Sequence, residues 1–436
     1  MLRLPDAATS LFPRELTMST PWQHRFAQRT QRMTSSAIRE LLKLTERPDI
    51  ISFAGGLPAP EAFPVDEIRA AADNVLREHG TTALQYGTTE GSVRLREAIA
   101  RQMARYGIVV PVDSIIVTAG SQQALDLIAK VLLNPGDRIL TETPSYLGAI
   151  QAFTMYGAEY VTVPMDDDGM RIDTLETALR VGPKFMYLLP NFQNPSGVTL
   201  SLERRRSLIA LSDRYGIPLV EDDPYGQLRY EGEHIRPLVV LDAEKDNTHA
   251  DGKYSGNVIY MSTLSKTLAP GIRLGWIVAP REVIHRLVQA KQGTDLHTST
   301  FVQLVAAEAL ERGVVDRNVR RVREMYRGRR DVMLRALERA FPDPSLGVTW
   351  TRPQGGLFLW MRLPAGMSAV ELLPEAIEQS VAFVPGVPFH PDGTGANTLR
   401  LNFSHADAAR IEEGIARLGR VVMRQVERAG RASPVA

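Results

Sequence analysis

From Ile115 onward the chain alternates between two hydrophobic rhythms. Short apolar runs over residues 115–118, 138–141, 185–189, 218–220, 258–261 and 274–278 have the length and composition of buried strands. Among them lie longer stretches, over 122–133, 202–215 and 281–291, in which apolar residues recur at helical spacing after a Ser, Thr or Pro. This alternation predicts an α/β fold, a mainly parallel sheet with helices on its faces, and in such sheets ligands collect at the carboxyl ends of the strands. After about Thr298 the rhythm changes to long helices, an Arg-rich one over 314–340, followed by strands near 348–351 and 357–363. That change marks a second, α+β domain. Residues 28–47, with Ile38, Leu41, Leu42 and Leu44, read as a helix packed on the second domain, leaving 51–64 as a crossing loop. The polar stretch 242–256 reads as a surface loop. The expected division is a leader over 1–20, a helical segment over 21–50, a large domain over 51–297 and a small domain over 298–436.

Composition narrows the partners. With 436 residues, 44% of them hydrophobic, the chain can bury the cores of roughly two to three domains. A net charge of +1 favours neither nucleic acid nor an anionic membrane, which points to small-molecule substrates. No cysteine is present, so disulfides, thiolate metal sites and a cysteine nucleophile are excluded. The eight histidines form no His-Glu-x-x-His pair, no Gly-x-Ser-x-Gly elbow occurs, and no metal site is expected. Residues 1–20 lack the continuous apolar stretch of a secretory signal and carry Arg3, Pro5, Asp6, Pro13, Arg14 and Glu15 instead, so a cytoplasmic location is expected. Met18 is an alternative start.

The chemistry concentrates where apolar runs end. Ser262-Thr263-Leu264-Ser265-Lys266 and Arg273 follow the run 258–261, so Thr263, Ser265 and Arg273 can hold a phosphate while Lys266 reaches an aldehyde to form a Schiff base. Taken alone, this stretch is as readily an exposed turn. Gly120-Ser121-Gln122 joins a strand to a helix whose first turn offers free amides to an anion; a plain N-cap at Ser121 fits too. Tyr146 follows another strand, as a core tyrosine or as a ring laid against a flat cofactor. Asn194, in Asn191-Phe192-Gln193-Asn194-Pro195-Ser196-Gly197, can donate to a phenolate oxygen or simply shape a turn. Glu221-Asp222-Asp223 places adjacent carboxylates at the end of a buried run, a costly arrangement without a cation. A protonated pyridine nitrogen is such a cation, held by Asp222 with Tyr225 at the ring hydroxyl; a metal or a solvated turn are the other readings.

Together these motifs, in this order from Ser121 to Arg400, resemble the pyridoxal phosphate-dependent class I/II aminotransferases of fold type I. Within that family the chain looks most similar to the bacterial 2-aminoadipate aminotransferases of lysine biosynthesis and the kynurenine/aminoadipate enzymes. The likeness spans Ser36 to Leu418 and includes Ser52-Phe53-Ala54-Gly55-Gly56-Leu57-Pro58 and Ala382-Phe383-Val384-Pro385-Gly386. It implies a seven-stranded large sheet and pyridoxal 5'-phosphate as cofactor. Lys266 is then the Schiff-base lysine and proton carrier, with Asp222 on the ring nitrogen, Asn194 and Tyr225 on the ring oxygen, and Tyr146 stacked on the ring. Ser121, Gln122, Thr263, Ser265 and Arg273 would hold the phosphate, Thr263 standing where a serine is more usual. Tyr86 matches a tyrosine that reaches the phosphate from a neighbouring subunit, which implies a homodimer. Arg400, Asn194 and Gly56 would bind the substrate carboxylate end, and Arg39 the distal carboxylate of glutamate or 2-aminoadipate, with 2-oxoglutarate as acceptor in ping-pong order. Arg39 also fits a surface ion pair. Two rivals share the scaffold: a β-lyase or decarboxylase, which keeps Lys266 and Asp222, and a transcription regulator, which carries a winged-helix domain ahead of the part corresponding to Ser52-Phe53-Ala54.

Overall fold

The computed structural model describes residues 22–32, 49–245 and 254–432. Its centre is an eight-stranded sheet in the order Ile115–Thr118, Gly275–Val278, Val258–Thr263, Leu219–Asp222, Met186–Leu188, Arg138–Thr143, Glu159–Asp166 and Gly169–Met170. Gly275–Val278 runs antiparallel to both neighbours, and the two-residue strand Gly169–Met170 turns back on Glu159–Asp166. The remaining pairs are parallel. The expected α/β architecture is present, with an eighth strand beyond the seven anticipated because the seventh continues through a tight turn into a short hairpin. Glu159–Asp166 is only partly buried and contains Pro164, which is why its hydrophobic signal is weak.

Alternation along the strands sorts residues onto two faces. Phe185, Tyr187 and Leu189 join one buried cluster with Val220, Ile259 and Met261, whereas Met186 and Leu188 join another with Leu219, Val258 and Tyr260. Helices Ser121–Leu132, Leu202–Tyr215 and Arg281–Gln292 occupy the stretches where helical spacing predicts them. The parallel strands all end on one side, and their loops open there together.

The C-terminal part forms an antiparallel four-stranded sheet in the order Thr349–Trp350, Phe358–Arg362, Thr398–Asn402 and Val384–Pro385, backed by the long helices Val314–Ala340 and Ala408–Ala432. Residues 51–64 are more than a crossing loop. Ile51–Ser52 pairs in parallel with Val381–Ala382, Phe53 N donates to Ala382 O (2.8 Å), and Asn402 N donates to Phe53 O (2.9 Å). The helix expected over 28–47 is a 3-10 segment at Gln28–Arg32, and the rest of that stretch, Arg39 included, lies outside the described residues. The surface loop expected over 242–256 is corrected at its start, where the apolar run from Leu238 carries the helix Leu238–Lys245 into it; residues 246–253 lie outside the described residues. Asp242 is buried there and accepts a hydrogen bond from the Tyr254 hydroxyl (3.1 Å).

Candidate active site

The strand-end loops enclose a cavity of about 290 Å³ into which Lys266, Asp222, Asn194, Tyr225, Tyr146, Ser121, Gln122, Thr263, Ser265, Arg273, Gly56 and Arg400 all project. Most of them end or follow strands of the large sheet, whereas Arg400 lies within the strand Thr398–Asn402 of the smaller sheet and Gly56 follows Ile51–Ser52, which pairs separately with Val381–Ala382.

Strand geometry separates the three carboxylates. Glu221 points to the opposite face and accepts from Leu238 N (2.8 Å) and Val239 N (2.9 Å) at the start of the following helix. Asp223 accepts from Asn191 Nδ2 (3.0 Å), Gly226 N (2.9 Å) and the Tyr260 hydroxyl (3.3 Å). Asp222 alone faces the cavity: its Oδ2 accepts from the Tyr187 hydroxyl (2.9 Å), and its Oδ1 is buried without a partner. Burial raises the Asp222 carboxyl to about 7, the Tyr187 hydrogen bond opposing and the charge of Asp223 adding to the rise. A cation at Oδ1 would relieve that.

At the other end, Ser121 opens the helix Ser121–Leu132, and its Oγ is buried without a partner. Thr263 Oγ1 lies 2.9 Å from Ser265 Oγ and donates to Leu274 O (2.7 Å), which fixes both hydroxyls beside that helix start. Arg273, itself left-handed at φ 49°, lays its guanidinium over Gly120, where a Cβ would stand 2.5 Å from Nη2. Glycine at 120 therefore lets a guanidinium, two hydroxyls and free helix amides surround one point, which is the requirement for a phosphate.

Lys266 Nζ donates to Gly56 O (2.8 Å). Desolvation, then the positive charges of Arg400 and Arg273, lower its ammonium to about 8. An amine so placed is neutral often enough near neutrality to accept a proton. Arg400, 2% exposed, donates from Nη1 to Asn194 Oδ1 (2.8 Å) and from Nη2 to Ala54 O (2.7 Å), while its Nε has no partner. The rings of Phe358 and Phe389 lie 4.3 and 5.1 Å from its guanidinium carbon. Burial and the Tyr225 hydroxyl act oppositely on this arginine, burial winning and lowering it to about 10.

Tyr86 stands apart. It is 78% exposed, meets His297 edge-on at 5.7 Å, and does not line the cavity. Residues that sequence reasoning missed are Phe358, the Ala54 carbonyl, Tyr187 and Glu142. Phe358 and Tyr187 look like ordinary core positions within apolar runs; only register shows what they face. Glu142 gave a fainter signal, a lone carboxylate in an apolar strand.

Glu142 is 1% exposed, accepts from Leu189 N (3.2 Å) and Gln193 Nε2 (3.2 Å), and leaves Oε1 unpartnered. Burial lifts its carboxyl from 4.5 to about 8, so the native state retains a proton that the unfolded chain releases between those values. Its contribution to stability is present below pH 4.5 and lost as pH rises through 8. Denaturant titrations of the cofactor-free protein are expected to show the wild type losing stability relative to Glu142→Gln across that window. Parallel curves would count against a protonated Glu142.

The unpartnered Asp222 Oδ1, Ser121 Oγ and Arg400 Nε, spaced around one cavity with an amine inside it, fit pyridoxal phosphate in chemistry: a site for a cationic ring nitrogen, one for a phosphate and one for a substrate carboxylate. Fold and site thus define a pyridoxal phosphate-dependent enzyme of fold type I. Comparison with known proteins agrees. The family described as aminotransferase class I and II matches residues 48–418, and the chain belongs to it. It is 45% identical to aromatic-amino-acid aminotransferase 1 of Thermococcus litoralis, with 92% of this chain and 95% of that one covered. It is 46% identical to the 2-aminoadipate transaminase of Thermus thermophilus, covering 92% of this chain and 97% of the relative. Among solved structures, α-aminoadipate aminotransferase from Thermus thermophilus, complexed with N-(5'-phosphopyridoxyl)-L-leucine, superposes with a TM-score of 0.84 at 43% identity over 94% of this chain and 99% of that one. No described helix is long and apolar enough to cross a membrane.

Proposed function

We propose that this transaminase moves the amino group of 2-aminoadipate or glutamate, and of leucine or aromatic amino acids, to a 2-oxo acid such as 2-oxoglutarate. The two half-reactions follow ping-pong order, the first oxo acid leaving before the acceptor binds. The observation that carries this reading is the convergence of Lys266, Asp222 and Arg400 on one cavity, each with a buried polar environment suited to a different partner.

Pyridoxal phosphate, when bound, supplies an aldehyde that links to amines and a ring that accepts electrons. Ser121, Gln122, Thr263, Ser265 and Arg273 would hold its phosphate, Asp222 its ring nitrogen, and Asn194 and Tyr225 its ring oxygen, with Tyr146 available to its ring. Arg400 clamps the substrate α-carboxylate with its planar fork, and Gly56 permits close approach of the backbone, a Cβ there being 3.2 Å from the Phe358 ring. Lys266 Nζ takes the proton from the substrate α-carbon and returns it on the far side of the transfer. Its lowered basicity, set by burial between Arg400 and Arg273, lets one nitrogen both accept and release that proton near neutral pH.

The protein acts as a homodimer in the cytoplasm, with Tyr86 reaching the phosphate of the partner site, and serves amino acid biosynthesis of the lysine type. The exposure of Tyr86 (78%) and Leu84 (75%) supports burial of that surface by a second copy, and the 46% identity to a 2-aminoadipate transaminase supports the substrate class. The cavity lies between a large domain over 51–297 and a small one over 298–436. Arg39 pairs with the distal carboxylate of dicarboxylic donors. Steady-state rates with 2-aminoadipate, glutamate, leucine, phenylalanine and kynurenine, each with 2-oxoglutarate, test this. Arg39→Ala is expected to lose about tenfold or more in kcat/KM for the two dicarboxylic donors only, the cost of one charge-assisted contact. A uniform loss, or none, rejects the assignment.

A further inference from the structure

Asp222 meets the cavity with one oxygen because the other is already taken. Tyr187, 1% exposed in the strand Met186–Leu188, donates its hydroxyl to Oδ2 at 2.9 Å and rests edge-on against Phe153 at 5.4 Å, while Oδ1 has no partner. Register explains the contact: Tyr187 pairs with Val220, two residues before Asp222 on the adjacent parallel strand, and the two side chains share a face. Burial, and then the charge of Asp222, keep the Tyr187 phenol protonated well above the usual range, so it serves only as donor. We propose that Tyr187 is a positioning residue for the cofactor ring, holding Asp222 with Oδ1 turned into the cavity and favouring the carboxylate over the carboxylic acid. This rests on the assignment of Asp222 to the ring nitrogen.

The consequence is thermodynamic. Even with the phenol donating, burial keeps the Asp222 carboxyl at about 7, so a sizeable share of the cofactor-free protein is protonated at neutral pH and must lose that proton before pairing with a cationic ring. Without the phenol oxygen the share grows. Affinity should then fall most near and below neutrality and recover as pH rises. Tyr187 faces Asp222 from the adjacent strand and feels the charge of Glu142. Tyr146 and Tyr225 feel the charge of Asp222, Asp223 follows it in the chain, and Lys266, Arg273 and Arg400 share the cavity. These are common to both proteins, so the ratio of wild type to Tyr187→Phe isolates the phenol oxygen.

The test is equilibrium binding of pyridoxal phosphate to the cofactor-free protein over a pH series, for wild type, Tyr187→Phe and Asp222→Asn, alongside thermal midpoints. Tyr187→Phe is expected to bind about tenfold more weakly near neutral pH, the loss typical of one hydrogen bond to a charged group. That difference should shrink at higher pH, beside the modest fall in thermal midpoint that loss of one buried hydrogen bond brings. Wild-type affinity at every pH, or a loss that is the same at every pH, would overturn the proposal. Asp222→Asn should bind weakly throughout. If it binds weakly while Tyr187→Phe binds normally, only the role of Tyr187 falls; if Asp222→Asn binds as wild type, the reading of Asp222 falls and takes this one with it.

Discussion

Replacing Lys266 with alanine is expected to slow the amino-donor half-reaction by about 10⁴-fold or more, the upper range for loss of a positioned acid/base, because in the proposed function the same nitrogen also anchors the cofactor. Lys266→Arg should be nearly as inactive. Its guanidinium stays protonated and cannot accept the α-carbon proton, so retained charge does not rescue the step. Stability should move the other way. Burial, Arg400 and Arg273 lower the ammonium from 10.5 to about 8, so the unfolded chain binds more protons than the native one between those values. The cofactor-free wild type therefore gains stability as pH rises from 8 to 10.5, and Lys266→Met, with no titrating group, should lack that gain. Single-turnover rates and denaturant midpoints measure the two effects separately. An alanine variant retaining even a hundredth of the wild-type rate would falsify the assignment of Lys266 as proton carrier.

Arg400→Lys is expected to reduce kcat/KM for every amino acid donor by about 10²–10³-fold, within the range for truncating one member of a buried, hydrogen-bonded charged set. Lysine keeps the charge but cannot hold Asn194 Oδ1 and Ala54 O with two arms and still present a third donor toward the cavity. The flat guanidinium also fills the space between Phe358 and Phe389, which an ammonium on a flexible stem does not. The loss should fall on all donors alike, in contrast to Arg39→Ala, since the α-carboxylate is common to them. Pyridoxal phosphate affinity should change little, because Ser121, Thr263, Ser265 and Arg273 lie at the other end of the cavity. Unchanged kcat/KM in Arg400→Lys would remove the arginine from the substrate carboxylate.

Much of the cavity wall is readable from the chain. Short apolar runs end in polar clusters, and a parallel sheet gathers such ends on one side, so Ser121, Tyr146, Asn194, Asp222, Thr263 and Lys266 group together from the order of residues alone. The same reading names Asp222, but the sequence supplies no physical reason to prefer it over Glu221 or Asp223. Period-two alternation puts neighbours on opposite faces, but which face is the cavity depends on the helix that receives Glu221 and on the loop that surrounds Asp223. Glu159–Asp166 was missed because Pro164 and partial exposure blurred its pattern.

The chain's own local order thus settles fold class and most of the chemistry, because strand length, alternation and the residues that terminate strands are nearest-neighbour properties. Contacts that complete the site are not local. Ile51–Ser52 reaches Val381–Ala382 to bring Ala54 and Gly56 over the cavity, Arg400 finds its acceptors on Asn194 and Ala54, and Tyr187 meets Asp222 across a strand pair. Each closes a long loop whose entropy is repaid only by packing and hydrogen bonds formed once the whole sheet has assembled, so no pattern in a short window of sequence encodes them.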